Sequence, residues 1–220
     1  MMRAFFTSVL PSLFAVSPAL ADDVLLRLVD QTQLFTLEDR DNKNMRDRLV
    51  AEGIGALNYS NRIFFIDAED LAEGFFRDRL TAASPYLEPR GFNLSSYEEI
   101  EAHDGGVSVI VNGKHYELFS GADLKSDDDL IWTKPSLAFW RVVNDNLAPT
   151  SKEKFYLLNS ANDLAGIFLD ERLFAYWVNS PEVKPSDKPY VPNSVGRSPY
   201  MPDEPSWGWR AHETSLKRAN

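Results

Sequence analysis

Apolar positions change their spacing several times along the chain, and each change marks an element. Val24, Leu25, Leu28 and Val29 recur at helical spacing, which predicts a helix from Asp23. The polar stretch Glu38 to Asn44 interrupts that helix, Met45 to Ala51 resumes it, and Gly53 and Gly55 end it. Ile63 to Ile66 is a short apolar run of strand type. Asp67 then caps a helix striped by Leu71, Ala72, Phe75, Phe76, Leu80 and Ala83, after which Pro85 and Pro89 force a loop.

Strict alternation follows. Val107 to Val111 and Lys114 to Phe119 flank Asn112-Gly113, a pair suited to a type I′ turn, so a β-hairpin is predicted over 107–119. A two-residue turn sets Val111 opposite Lys114, Val109 opposite Tyr116 and Val107 opposite Leu118 on the core side. It sets Ile110 opposite His115 and Ser108 opposite Glu117 on the other side, which Phe119 shares. Ser136 to Leu147 reads as a helix with Phe139, Trp140, Val143 and Leu147 on one face, and Phe155 to Leu158 as a second buried strand. Ser160 is predicted to cap a helix reaching Val178, striped by Leu164, Ile167, Phe168, Phe174 and Trp177 and ended by Pro181.

These elements define an α+β class. One globular domain over 22–180 carries a mixed or mainly antiparallel sheet packed by amphipathic helices. Asp70 to Leu80 and Asp163 to Leu173 share six of eleven residues, each after an apolar strand and a capping residue. Two readings are open: a duplicated strand–helix unit forming lobes near 62–83 and 154–179, or convergence imposed by helix capping.

Both ends differ from this body. Residues 1–21 combine Arg3, an apolar run from Ala4 to Val16 and the small-x-small site Ala19-Leu20-Ala21, the pattern of a cleavable signal peptide. The run is shorter than a membrane span and is interrupted by Pro11 and Pro18. A periplasmic product is expected, with secretion as the alternative; Asn58-Tyr59-Ser60 and Asn93-Leu94-Ser95 would be acceptor triplets only in a eukaryotic route. The chain has no cysteine, which excludes disulfides, thiolate metal sites, a cysteine nucleophile and a lipidated N-terminal cysteine. Residues 181–220 form a Pro/aromatic tail with Tyr190, Tyr200, Trp207 and Trp209 and with Arg210, Lys217 and Arg218 near its end. Such a segment favours extended structure. It would wrap the body, dock on a partner, associate with a second copy or remain a passive end.

The formal net charge of −10 disfavours nucleic acid and anionic membrane surfaces as partners. No nucleophile elbow, zincin motif, phosphate loop or dinucleotide fingerprint is present, and no cofactor is implied. Ser108, His115 and Glu117 share one hairpin face and hold the ingredients of a hydrolytic triad, although no oxyanion donor pair is evident. His103 and His212 lack metal-ligand spacing. Asp123, Asp127, Asp128 and Asp129 are candidate cation ligands. Asp39 to Val50 opens like an EF-hand loop but has Asn44 where glycine is needed and Val50 where glutamate is needed. Trp132, beside the acidic loop, is the surface candidate for stacking on a ligand, while Trp140 and Trp177 lie on core stripes. The favoured reading is a binding protein whose tail docks on the body or a partner. The alternatives are a carboxylate-based hydrolase acting on a saccharide or cell-wall polymer, and an envelope assembly factor.

Overall fold

In the structure, a computed structural model describing residues 18–34, 42–126, 128–159 and 163–200, the strands form two antiparallel sheets of three. Sheet A comprises β1 (Ile63–Phe65), β5 (Glu153–Leu158) and β6 (Ala165–Asp170) in the order β1-β6-β5. Sheet B is the meander β2 (Tyr97–Glu101), β3 (Val107–Val111) and β4 (Lys114–Phe119). The α+β class read from the sequence is the class observed.

Sheet A is a wall between two cores. Alternation along its strands sends Phe64, Phe155, Leu157 and Phe168 to one side and Tyr156, Leu158, Ala165, Ile167 and Leu169 to the other. The second side packs on α1 (Pro18–Thr32), α2 (Asn42–Glu52) and α7 (Glu171–Asn179) through Leu25, Val29, Leu49, Leu173 and Trp177. The first side meets α6 (Leu130–Asn146), whose Phe139 ring stands 6.0 Å from Phe155. The same helix also covers the inner face of sheet B, where Val109, Val111, Tyr116 and Leu118 are buried. Thus α6 lies between the two sheets, and its opposite faces carry most of the first core.

The hairpin adopts the predicted type of turn, with positive φ at Asn112 and Gly113. The predicted pairings hold from Val111–Lys114 to Ser108–Glu117. Val107 is the exception: a bulge between Val107 and Ser108 sets it opposite Phe119, not Leu118. The added residue turns Phe119 inward, where it is buried. Strand β2 was not foreseen, because a run of glutamates has low strand propensity. It is an edge strand, and Glu98, Glu99 and Glu101 are exposed there, where charge discourages further strand pairing.

Four helix expectations are corrected. No helix runs from 160 to 178: Ala165 to Leu169 form the central strand β6, and α7 begins only after Asp170, whose side chain accepts from the Arg172 N–H. A strand buried on both faces shows no alternation, so its apolar run imitates a helical stripe. The helix after Asp67 splits into α3 (Ala68–Ala72) and α4 (Phe76–Ala82) at Gly74, whose φ of 93° leaves the helical region. Pro85 and Pro89 do not force a loop; each stands in the first turn of a short helix, α5 (Ser84–Leu87) and a 3₁₀ turn at Glu88–Arg90, where no backbone donor is needed. Finally, α6 starts at Leu130, before the predicted Ser136, and includes Pro135.

The echoed segments therefore differ in structure: Asp70 to Leu80 is helix, turn and helix, whereas Asp163 to Leu173 is mainly strand. The segments 62–83 and 154–179 supply strands to one sheet, with β1 and β6 paired directly. Among the described residues no helix is long and apolar enough to cross a membrane. Residues 1–17 of the expected signal peptide, Asp39 and Asp41 of the EF-hand-like segment, Asp127, Ser160, Trp207, Trp209 and His212 lie outside the described residues.

Candidate functional site

The hairpin residues do sit together on the outer face of sheet B. Ser108 pairs with Glu117 across the strands and His115 pairs with Ile110. His115 and Glu117 are exposed, and the Glu117 carboxylate is 3.9 Å from the Lys134 ammonium. No hydrogen bond links Ser108 to His115 among the described residues, so the order of contacts that a triad requires is not assembled.

The acidic loop is organised around helix starts. Asp123 is buried and accepts from Ser120 N–H and Oγ at 2.7 Å and from Lys134 Nζ at 2.6 Å. Burial opposes its ionisation, but the lysine and the serine outweigh that and hold its carboxyl below the ordinary value. Asp129 is the N-cap residue of α6, and the Asp128 carbonyl accepts from Arg197 Nη2 at 2.6 Å. Among the described residues no group of three or more His, Cys, Asp or Glu side chains converges as a metal site would require. Trp132 is partly buried in the first turn of α6, and His103 is exposed in the loop before β3.

The tail lies on the body as far as it is described. Leu157 and Tyr190 form an antiparallel bridge with N–H···O distances of 3.0 and 2.8 Å. Tyr190 is buried, and its hydroxyl donates to the Asn159 carbonyl at 2.9 Å. Burial raises its phenol well above the ordinary value, which keeps it a neutral donor. Asn193 closes a turn by accepting from the Val195 and Arg197 N–H groups at 3.0 Å, and Tyr200 packs partly buried on the first core.

Where the tail crosses the edge of sheet A, a cleft of about 660 Å³ opens. Its walls include Trp140, Tyr156, Phe174 and Val191, with Lys154 and Glu171 also lining it. Tyr156 and Phe174 stack nearly flat, with centroids 4.0 Å apart and planes at 9°. Burial, with Glu171 and Asp170 nearby, pushes the Tyr156 phenol up to about 12. The strand edge beneath is already satisfied. The Phe155 carbonyl accepts from Trp140 Nε1 at 2.9 Å and Asn144 Nδ2 at 3.0 Å, and the Phe155 N–H donates to Asn144 Oδ1 at 3.0 Å. Side chains from α6 thus replace a neighbouring strand at 155, and the tail does so at 157.

Both carboxylates in this cleft are ion-paired. Glu171 pairs with Lys154 across the strand–helix junction. Glu153 is held between two buried guanidinium groups, Arg62 on one oxygen and Arg90 on the other. Arg62 also donates to the Leu34 and Phe168 carbonyls, and Arg90 lies 4.1 Å from the Phe168 ring centroid. The sequence did not point to this network, because its members are separated by up to 91 positions and share no motif. Tyr156, Phe174 and Asn144 were likewise missed as site residues. Trp140 was assigned to the core, yet it is partly buried and contributes to the cleft wall. Trp177, on the other core stripe, is fully buried as predicted.

No protein family matches the chain, nor does any curated protein or solved structure.

Proposed function

We propose that the chain is an exported periplasmic binding protein and that its ligand enters the cleft between α6, α7 and the tail. The observation that carries this reading is the aromatic-walled opening of about 660 Å³ beside a strand edge already closed by Asn144, Trp140 and Tyr190. That volume falls in the range of small-ligand sites, and the mainly apolar lining with a few polar groups is typical of them. The pairing of Glu153 with two arginines and of Glu171 with lysine counts against the carboxylate hydrolase. A tail docking on a partner would use residues beyond Tyr200, since residues 181–200 already serve the body.

The test compares capture from periplasmic extract by residues 22–220, residues 22–200 and the Phe174→Glu variant of 22–220. Native mass spectrometry would detect retained small molecules, and circular dichroism would check the fold. Recovery by the first two forms and loss in Phe174→Glu is the expected outcome. Retention by Phe174→Glu with loss in the truncated form would transfer the function to residues 201–220.

A further inference from the structure

The cleft beside β5 can be read by what its polar groups already hold. Among the described residues its charged side chains are Glu153, Lys154 and Glu171. Glu153 is taken by Arg62 and Arg90, and Lys154 by Glu171 out at the rim, so each charge has a partner before a ligand arrives. The side-chain donors are committed as well. Asn144 Nδ2 donates to the Trp140 and Phe155 carbonyls, each at 3.0 Å, and Trp140 Nε1 also donates to the Phe155 carbonyl. Ser151 Oγ donates to the Glu153 carbonyl at 2.9 Å. Tyr156 is the exception. It is 4 % exposed, and among the described residues its hydroxyl has no hydrogen-bond partner. That oxygen is not one of the sealed, unpartnered polar atoms of the interior, so it stays within reach of solvent. Burial, with Glu171 and Asp170 nearby, pushes the phenol up to about 12, so it remains protonated and able to donate at neutral pH.

Resting on the reading of this cleft as the binding site, we infer that its ligand is uncharged and mainly apolar and presents one hydrogen-bond acceptor to the Tyr156 hydroxyl. A charged group entering the cleft would lose water and find the opposite charges already engaged, which costs free energy. A saccharide would bring many hydroxyl groups, and each one left unpaired would carry its own desolvation cost. A peptide can join an open strand edge through its backbone. Here that edge is taken at 155 by Asn144 and Trp140 and at 157 by Tyr190. What the cleft offers instead is apolar surface from Trp140, Leu147, Pro149, Phe174 and Val191. Hydrocarbon buried against that surface supplies the affinity, and the contact with Tyr156 fixes the orientation.

The test uses propionyl-dimethylaminonaphthalene, an uncharged dye with a single ketone oxygen whose emission shifts to the blue in apolar surroundings. The purified protein should bind it saturably. Phe174→Glu, which puts a charge into the aromatic wall, should abolish that binding while the circular dichroism spectrum stays unchanged. Tyr156→Phe keeps the ring stack and removes only the hydroxyl. It should weaken binding roughly two- to tenfold, the worth of one neutral hydrogen bond, and leave the affinity for ketone-free dimethylaminonaphthalene unaltered. Equal affinity for the ketone in wild type and Tyr156→Phe would overturn the acceptor contact. Anionic anilinonaphthalene sulfonate and maltotriose, followed by calorimetry, should bind at least about tenfold more weakly than the ketone. If either binds more tightly than the ketone and loses that binding in Phe174→Glu, the cleft stands as the site and the ligand class is overturned. If binding of no probe depends on Phe174, the reading of the cleft falls together with the inference.

Discussion

The two sheets are built from the same number of strands, but they occupy different environments. Sheet A is buried on both faces between two cores, and its central strand β6 is apolar from Ala165 to Leu169 without a break. Sheet B buries one face on α6 and leaves Glu98, Ile100, His115 and Glu117 exposed on the other. Its most suggestive chemistry, Ser108 with His115 and Glu117, therefore lies on the face turned away from the first core, where His115 and Glu117 are exposed. The cleft belongs to the edge of sheet A, where a helix and the tail converge on β5. A doubly buried sheet leaves its edges and ends as the places where a ligand can reach it, whereas an exposed sheet face offers no enclosure.

The contrast can be broken most directly at Glu153, which sits at the start of β5 and joins Arg62 to Arg90. Glu153→Gln leaves two buried guanidinium groups without their shared carboxylate, and removal of one member of a buried ion pair costs about 3–5 kcal/mol. Urea denaturation should show the unfolding free energy falling by that amount, read as the shift in midpoint multiplied by the slope m. A change below about 1 kcal/mol would mean that the network does not anchor sheet A.

A smaller effect is expected at Asp123→Asn, which removes the charged partner of Lys134 beside sheet B and should cost about 1–2 kcal/mol at neutral pH. The Asp123 carboxyl is held below its ordinary value in the folded state. Its contribution is therefore complete above the unfolded value and is lost as pH falls through the folded one. Stability curves of wild type and Asp123→Asn should thus run parallel near neutrality and converge in acid, below the ordinary aspartate value of 3.8. A gap that stays constant with pH would rule out the ion pair as its source.

The smallest effects belong to the open face. Ser108→Ala and His115→Ala should each change stability by no more than about 0.5 kcal/mol, because neither side chain is buried in a network. They should also leave ligand capture unchanged. Loss of capture in either variant, with the fold intact, would move the site from the edge of sheet A to the face of sheet B.

Legibility followed this same division. The hairpin of sheet B could be read almost to the residue, because strict alternation and Asn112-Gly113 specify strand and turn locally. It failed only at its far end, where a bulge set Val107 opposite Phe119 and turned Phe119 from the outer face into the core. In sheet A, β1 and β5 were recognised as short apolar runs, but β6 was assigned to a helix. Leu164, just before it, and its own Ile167 and Phe168 have helical spacing only because Ala165, Gly166 and Leu169 among them are also non-polar. Gly166 became intelligible once the fold was known: the rings of Phe155 and Phe64 occupy the space that a Cβ would take. Tyr190 was named as a contact residue of a tail expected to dock on the body or on a partner, although Leu157, which it meets, was not. Asn144 gave no signal, since an amide that replaces a strand looks like any polar position on a helix.

By itself, the sequence determined the α+β class, the hairpin and its turn, the cap at Asp67, the absence of thiol chemistry and the distinct character of the two ends. Those follow from spacing, turn chemistry and composition, which act over a few residues or are sums over the chain. Tertiary structure alone decided that β6 is a strand between two cores, that Arg62 and Arg90 meet on Glu153, and that Trp140, Tyr156, Phe174 and Val191 surround one cleft. The physical reason is that burial on both faces erases the period on which local reading depends. Ion pairing and cleft formation depend on distances in space between residues far apart in the chain.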